Sequence, residues 1–168
     1  NCIIEPEFYQ IAPKGISFHA TRVFLAETTP AALIKMEEDL DAATRLMATV
    51  NPHAVIYACT SGSFIKGLGW DREIIAKIEA AVGCPATTPS TAMIQALQVL
   101  GIQRVAVATP YLDVVNEREE EFLVQNGFKV VACRGLGLSG PVIQAATTET
   151  VVELVRSVDR PEADGIFV

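Results

Sequence analysis

At 168 residues, half of them apolar and a fifth charged, the chain is long enough for one soluble domain with a proper core and short for two. A net charge of −7 argues against nucleic acid or an anionic membrane surface as the main partner, although a pocket on an acidic protein can still be locally positive. The longest apolar run, Ala54 to Cys59, is too short to span a bilayer, no secretory leader is visible, and the cysteines at 2, 59, 84 and 133 lack the spacing of a zinc site. The expectation is a cytoplasmic protein with free thiols, no bound metal, no membrane contact and no nucleic-acid partner.

In chain order, Ile16 to Leu25 reads as a first strand. Thr29 and Pro30 form an N-cap and N1 pair opening a helix to about Val50, with Leu33, Met36, Leu40, Ala43 and Met47 at spacings of three and four. Asn51-Pro52 breaks it, and Ala54 to Cys59 reads as a short strand buried on both faces. After a small-residue loop, Asp71 is expected to cap a helix carrying Ile74, Ile75, Ile78 and Ala81 that ends at Gly83. Cys84 to Thr88 is extended, and Ser90 opens a helix to Leu100 that stops at Gly101. Arg104 to Ala108 is a buried strand and Leu112 to Asn126 a helix with an acidic outer face, closed by Gly127. Phe128 to Ala132 is a strand, Thr148 to Val158 a helix, and Gly165 to Val168 the opening of another strand. Strands alternating with helices predict the α/β class, a parallel β-sheet with helices on both faces. The chain reads as one unit, 1–168, with halves of about 1–85 and 86–168. It opens at Asn1 without a methionine and stops at Val168 inside an apolar run, so segments are expected to be missing at both ends.

Ligands of such sheets bind outside the carboxyl ends of the strands. Two strand ends carry chemistry-bearing residues: Tyr57-Ala58-Cys59-Thr60-Ser61-Gly62-Ser63 and Ala108-Thr109-Pro110-Tyr111. A thiol at the first end is a nucleophile and carbon base once ionised. The hydroxyls of Thr60, Ser61 and Ser63, with backbone N–H groups that Gly62 leaves free to turn, suit a carboxylate or the enediolate derived from it. Taken locally, a second reading stands beside this one: cysteine is a common core residue, and hydroxyl loops often only cap helices.

Three motifs then resemble a known superfamily. Asn1 to Tyr9 (NCIIEPEFY) looks like the N-terminal signature of maleate isomerases, Ala58 to Ser63 (ACTSGS) is similar to the first cysteine motif, and Thr109 to Arg118 (TPYLDVVNER) resembles the tyrosine-bearing stretch of maleate isomerases and arylmalonate decarboxylases. The similarity continues through Arg134-Gly135-Leu136-Gly137 to the last residue. The chain resembles the cysteine-dependent aspartate/glutamate racemase superfamily, in its maleate isomerase and arylmalonate decarboxylase branch, whose halves are flavodoxin-like. That resemblance implies Cys59 as the catalytic cysteine, and Thr60, Ser61, Gly62, Tyr111 and Asn1 as groups around the substrate carboxylates. It implies no cofactor, a small carboxylate as substrate and a homo-oligomer. It also places a second catalytic cysteine just past Val168. Thr60-Ser61 departs from many maleate isomerases, which follow this cysteine with apolar residues.

The remaining candidates read as structural. Cys84 and Cys133 are expected to be inert thiols, His19 and His53 have no partner at ligand spacing, and Glu117, Glu119, Glu120 and Glu121 read as a solvated helix face. Tyr111 is either a ligand contact or an amphipathic plug at the core rim, and Trp70 is a candidate for a subunit interface. The expected activity is cofactor-independent cis–trans isomerisation of a maleate-like diacid. The rivals are a two-cysteine racemase of an amino acid or other α-substituted acid such as an ectoine-pathway intermediate, then an arylmalonate-type decarboxylase, and then a carboxylate-binding domain without catalysis.

Overall fold

The computed structural model describes residues 3–168. Helix α1 (Ile4–Ile11) is followed by an irregular stretch, α2 (Pro30–Lys35), a 3-10 turn (Met36–Asp39) and α3 (Leu40–Ala48). Next come β1 (Val55–Ile56), α4 (Thr60–Phe64), α5 (Trp70–Val82), β2 (Ala86–Thr87) and α6 (Pro89–Val99). The rest comprises β3 (Arg104–Thr109), α7 (Asp113–Gln125), β4 (Lys129–Gly135), a 3-10 turn (Gly140–Ala145), α8 (Thr148–Val158) and β5 (Gly165–Phe167).

Helix starts follow their caps. The hydroxyls of Thr29, Thr88 and Thr147 accept the N–H of Ala32, Thr91 and Thr150 at 3.3, 3.1 and 3.3 Å, each satisfying a donor that the first turn leaves free. Pro30 and Pro89 occupy the first helical positions, where no N–H is needed. Every strand pairing is parallel, β1 with β2, and β3 between β4 and β5. Alternation along β3 sends Val105 and Val107 into the main core with Phe64, Ile74, Met93, Phe122 and Leu123. Ala106 and Ala108 go to the other face, against Leu154 and Val158 of α8. Helices thus cover both faces of this sheet, as the strand–helix alternation predicts.

Several local expectations are corrected. Ile16 to Leu25 forms no strand; it has no regular secondary structure and no ladder partner among the described residues, with Val23 and Leu25 against the core and Phe24 in solvent. The long helix to Val50 is interrupted by the 3-10 turn at Met36. The run Ala54 to Cys59 contains only a two-residue strand, and Ile56 on its outer face is 47 % exposed, because β1 pairs on one edge and no helix covers that face among the described residues. Thr88, not Ser90, caps α6. Asp71 does not cap α5: Gly69, at φ 87°, precedes Trp70 at the helix start, and buried Asp71 accepts a hydrogen bond from Thr91 instead. No helix among the described residues is long and apolar enough to cross a membrane.

Candidate functional site

The short β1 ladder extends through Tyr57, whose N–H donates to the Thr87 carbonyl at 3.0 Å. Strand alternation then puts Val55, Tyr57 and Cys59 on the side that packs on the core, while Ala54, Ile56 and Ala58 point outward. Cys59 is the N-cap residue of α4 and still has extended backbone, so its thiol stands where strand turns into helix. The segment expected as a loop is this one-turn helix. It is held from below by hydroxyls: Ser63 Oγ lies 2.6 Å from Ser90 Oγ and donates to the Thr60 carbonyl at 2.8 Å. The Trp70 indole N–H donates to the Gly62 carbonyl at 2.9 Å. Buried Trp70 is therefore a support of the cysteine turn and not a surface anchor. Ser63, fully buried, is likewise structural, which leaves Thr60 and Ser61 as the hydroxyls beside Cys59.

Tyr111 arrives from the end of β3. The Thr109 hydroxyl accepts the Tyr111 N–H at 3.0 Å and donates to Asn116 Oδ1 at 2.5 Å. The backbone N–H groups of Leu136, Gly137 and Leu138 donate to the carbonyls of Thr109, Tyr111 and Pro110 at 3.1, 3.1 and 2.9 Å. Gly135 is needed for this closure, since a Cβ there would lie 2.3 Å from both the Tyr111 carbonyl oxygen and Asn116 Nδ2. So fixed, the Tyr111 ring meets Phe64 edge-on at 6.3 Å, and its hydroxyl comes within reach of Ser61 and Thr60.

Burial pushes the Cys59 thiol up from its ordinary range, and hydrogen bonds from the Gly62 N–H and the Ser61 hydroxyl oppose this only in part. Ser61 Oγ stands 3.9 Å from the sulfur. The resting thiol keeps its proton, and its two donors favour the thiolate when it forms. Burial, then Glu119 and Cys59, hold the Tyr111 phenol far above its ordinary range, so it stays a neutral hydroxyl donor. Tyr57, for which the sequence predicts no role of its own, is raised the same way by burial, Cys59 and Glu37. Two phenols thus bracket the thiol. The signal available in the sequence was spacing: Tyr57 is two residues before Cys59 on a strand.

Cys59, Thr60, Ser61, Gly62 and Tyr111 are brought together; Asn1 and Cys2 lie outside the described residues. The glutamates of α7 divide. Glu117 and Glu121 are exposed, but Glu119 is completely buried, and neither carboxylate oxygen has a hydrogen-bond partner among the described residues. Burial, with Glu120 adding to it, pushes Glu119 up to about 8. Four acids in a short stretch suggest a wet face, but position 119 falls on the inward stripe with Val115, Phe122 and Leu123. Asp113, Glu117, Glu120, Cys133 and Arg134 line a separate surface hollow that does not include Cys59. No group of three or more His, Cys, Asp or Glu among the described residues is placed to hold a metal ion.

A parallel α/β scaffold whose strand ends deliver a thiol and a set of hydroxyl donors to one place defines a protein of the aspartate/glutamate racemase-like class. The family model described as arylmalonate decarboxylase matches residues 2–168, and the chain belongs to that family. An arylmalonate decarboxylase of Bordetella bronchiseptica is 34% identical over 156 residues, covering 91% of this chain and 65% of the relative. A maleate isomerase of Nocardia farcinica is 27% identical, covering 90% of this chain and 63% of the relative. The chain therefore spans a little under two thirds of the length of these two relatives. A liganded arylmalonate decarboxylase carrying glycine-to-cysteine and cysteine-to-serine substitutions superposes with a TM-score of 0.86 at 33% identity, over 90% of this chain and 66% of the other. A cysteine-to-serine mutant of the Nocardia farcinica maleate cis–trans isomerase, holding a covalently bound succinylcysteine intermediate, gives a TM-score of 0.90 over 96% of this chain and 69% of the other. At 24% identity it speaks for the fold alone.

Proposed function

We propose that the whole protein catalyses cofactor-independent cis–trans isomerisation of a small maleate-like dicarboxylate, with Cys59 as nucleophile. One observation carries the reading: the Cys59 sulfur stands at a strand end with Thr60, Ser61 and the Tyr111 phenol gathered beside it. With its proton released to solvent, the Cys59 thiolate adds to one alkene carbon, and the displaced π pair moves to the other alkene carbon and onto the carboxylate that carbon bears, as an enediolate. Hydroxyl donors fixed in advance stabilise that charge as it develops. The central bond, now single, rotates, and expulsion of the sulfur leaves the trans alkene. Asn1 is assigned to the substrate carboxylates by resemblance, as is a second cysteine after Val168 that supplies and removes the proton. The covalent succinylcysteine held by the Nocardia farcinica isomerase is chemistry of this kind. A small carboxylate substrate and a homo-oligomeric assembly belong to the same proposal.

The 34% identity to a decarboxylase favours a second reading, loss of carbon dioxide from a substituted malonate. Against it stands Cys59 itself, at a position where the resemblance gives decarboxylases no cysteine. The test is maleate incubated with full-length protein in deuterated water. Isomerisation yields fumarate, racemisation of an amino acid places deuterium at the α-carbon of recovered substrate, and decarboxylation consumes a malonate and leaves maleate untouched. Replacing Cys59→Ala should reduce fumarate formation by at least roughly a thousandfold; parent-level turnover in that variant would refute the nucleophile assignment.

A further inference from the structure

Three features meet beside the Cys59 sulfur. Tyr57 shares its strand face, two residues back. Met36, buried at the start of the 3-10 turn, reaches in from α2. Gly62 offers a bare α-carbon to both. A Cβ built on Gly62 would stand 2.7 Å from Tyr57 Oη, 2.7 Å from Met36 Cε and 3.1 Å from Cys59 Sγ. All three atoms converge on one point, and one of them is the reacting sulfur. The phenol and the thioether methyl therefore fill the space beside the sulfur that a side chain at position 62 would otherwise occupy. Met36 contributes an apolar wall, whereas Tyr57 turns a hydroxyl tip toward that space. Tyr111 comes to the same sulfur from the β3 end, and Thr60 and Ser61 from the start of α4.

We propose that Tyr57 is a specificity-determining substrate contact: its hydroxyl donates to the second carboxylate of a compact diacid attacked by Cys59, and with Met36 it closes the space over Gly62 against an aryl substituent. The proposal rests on the reading of Cys59 as the group that meets the substrate. A diacid needs a donor set at each end. Tyr111, Ser61 and Thr60 make one, and Tyr57 starts the other. The closed wall distinguishes a four-carbon diacid from a phenyl-bearing malonate, because a phenyl ring needs the volume that Met36 Cε and Tyr57 Oη occupy.

The experiment is protection of Cys59 from iodoacetamide in the full-length protein, read by peptide mass spectrometry across titrations of maleate and of phenylmalonate. The expected result is protection by maleate and none by phenylmalonate at equal concentration. Tyr57→Phe keeps the ring and loses the donor, and should require about tenfold more maleate, the loss expected for a hydrogen bond to a charged group. Tyr57→Ala opens the wall and should gain protection by phenylmalonate. Equal protection by the two acids in the parent protein, or an unchanged maleate titration in Tyr57→Phe, would overturn the proposal. Fumarate formation is measured on the same samples: its absence beside a Tyr57-dependent maleate titration would defeat the isomerase reading and leave this one standing.

Discussion

Among the described residues, Glu119 alone has buried side-chain oxygens without a hydrogen-bond partner. A fully buried carboxyl without a hydrogen-bond partner among the described residues stays neutral where its neighbours are apolar. Its folded-state value of about 8 lies above that of an unfolded glutamate. Between about pH 4.5 and 8 the native state therefore holds a proton that the unfolded chain has released, and stability falls as pH rises through that interval. The ionisable groups beside it all titrate toward negative charge: Glu120 on its own helix, and Tyr111 and Cys133, both of which Glu119 pushes upward once it has ionised. Replacing Glu119→Leu should remove this slope, with a gain on the order of 5 kcal/mol at pH 8 and little at pH 4, measured by urea unfolding across the range. An equal slope in the variant would place the titration elsewhere.

Among the elements, α4 has the most to do in the least length. Five residues long, it cannot be stable by propensity, and its geometry comes from the helices around it. Ser63 and Ser90 tie it to the start of α6, and Trp70 ties it to the start of α5. The start of α6 is in turn fixed by Thr88, whose hydroxyl accepts the Thr91 N–H and donates to Thr91 Oγ1 at 3.0 Å. Thr88→Ala should cost about 1–2 kcal/mol through the lost cap, read from chemical denaturation. It should also loosen α4 enough to raise the iodoacetamide rate at Cys59. Gly62→Ala acts from inside. The added methyl overlaps Tyr57 and Met36 side chains, so a destabilisation of about 1–3 kcal/mol is expected from overpacking, together with a changed Cys59 labelling rate. A variant with parent stability and parent labelling would show that the two side chains move aside freely.

For the molecule as a whole, the three-stranded sheet depends on how β5 is docked to β3. Asp164, just before β5, accepts N–H bonds from Gln103 and Arg104 at 3.2 and 2.8 Å, and its other oxygen takes the Arg104 guanidinium at 2.7 Å. Arg104, with the two backbone N–H groups, holds this carboxyl far below the usual carboxylate range. A depressed folded value means that the contribution is present at neutral pH and above. It is lost as pH falls below about 4 toward the folded value. Asp164→Asn should lower the melting temperature at pH 7 and flatten its fall in acid. Identical acid limbs in the two proteins would show that the bracket carries no stability. The clasp matters to the site because β3 also carries Thr109 and, one turn on, Tyr111.

What the sequence determined by itself was periodic and local. Apolar runs of strand type alternating with helical spacings specify parallel α/β architecture, and the Thr29-Pro30 cap marks the start of α2, because caps and periods act within a few residues. The ACTSGS and TPYLDVVNER motifs marked both strand ends of the candidate site. Tertiary structure alone decided which polar groups are buried. Ser63 became a brace, Trp70 a donor to Gly62, and Glu119 an interior carboxyl, while Ile16 to Leu25 stayed without a partner strand among the described residues. The place of Tyr57 beside Cys59 was half written in a two-residue spacing. Its convergence with Met36 over Gly62 needed α2 packed against α4, a contact between segments more than twenty residues apart. Such contacts depend on which surfaces meet when helices pack on a sheet, and no local pattern encodes that.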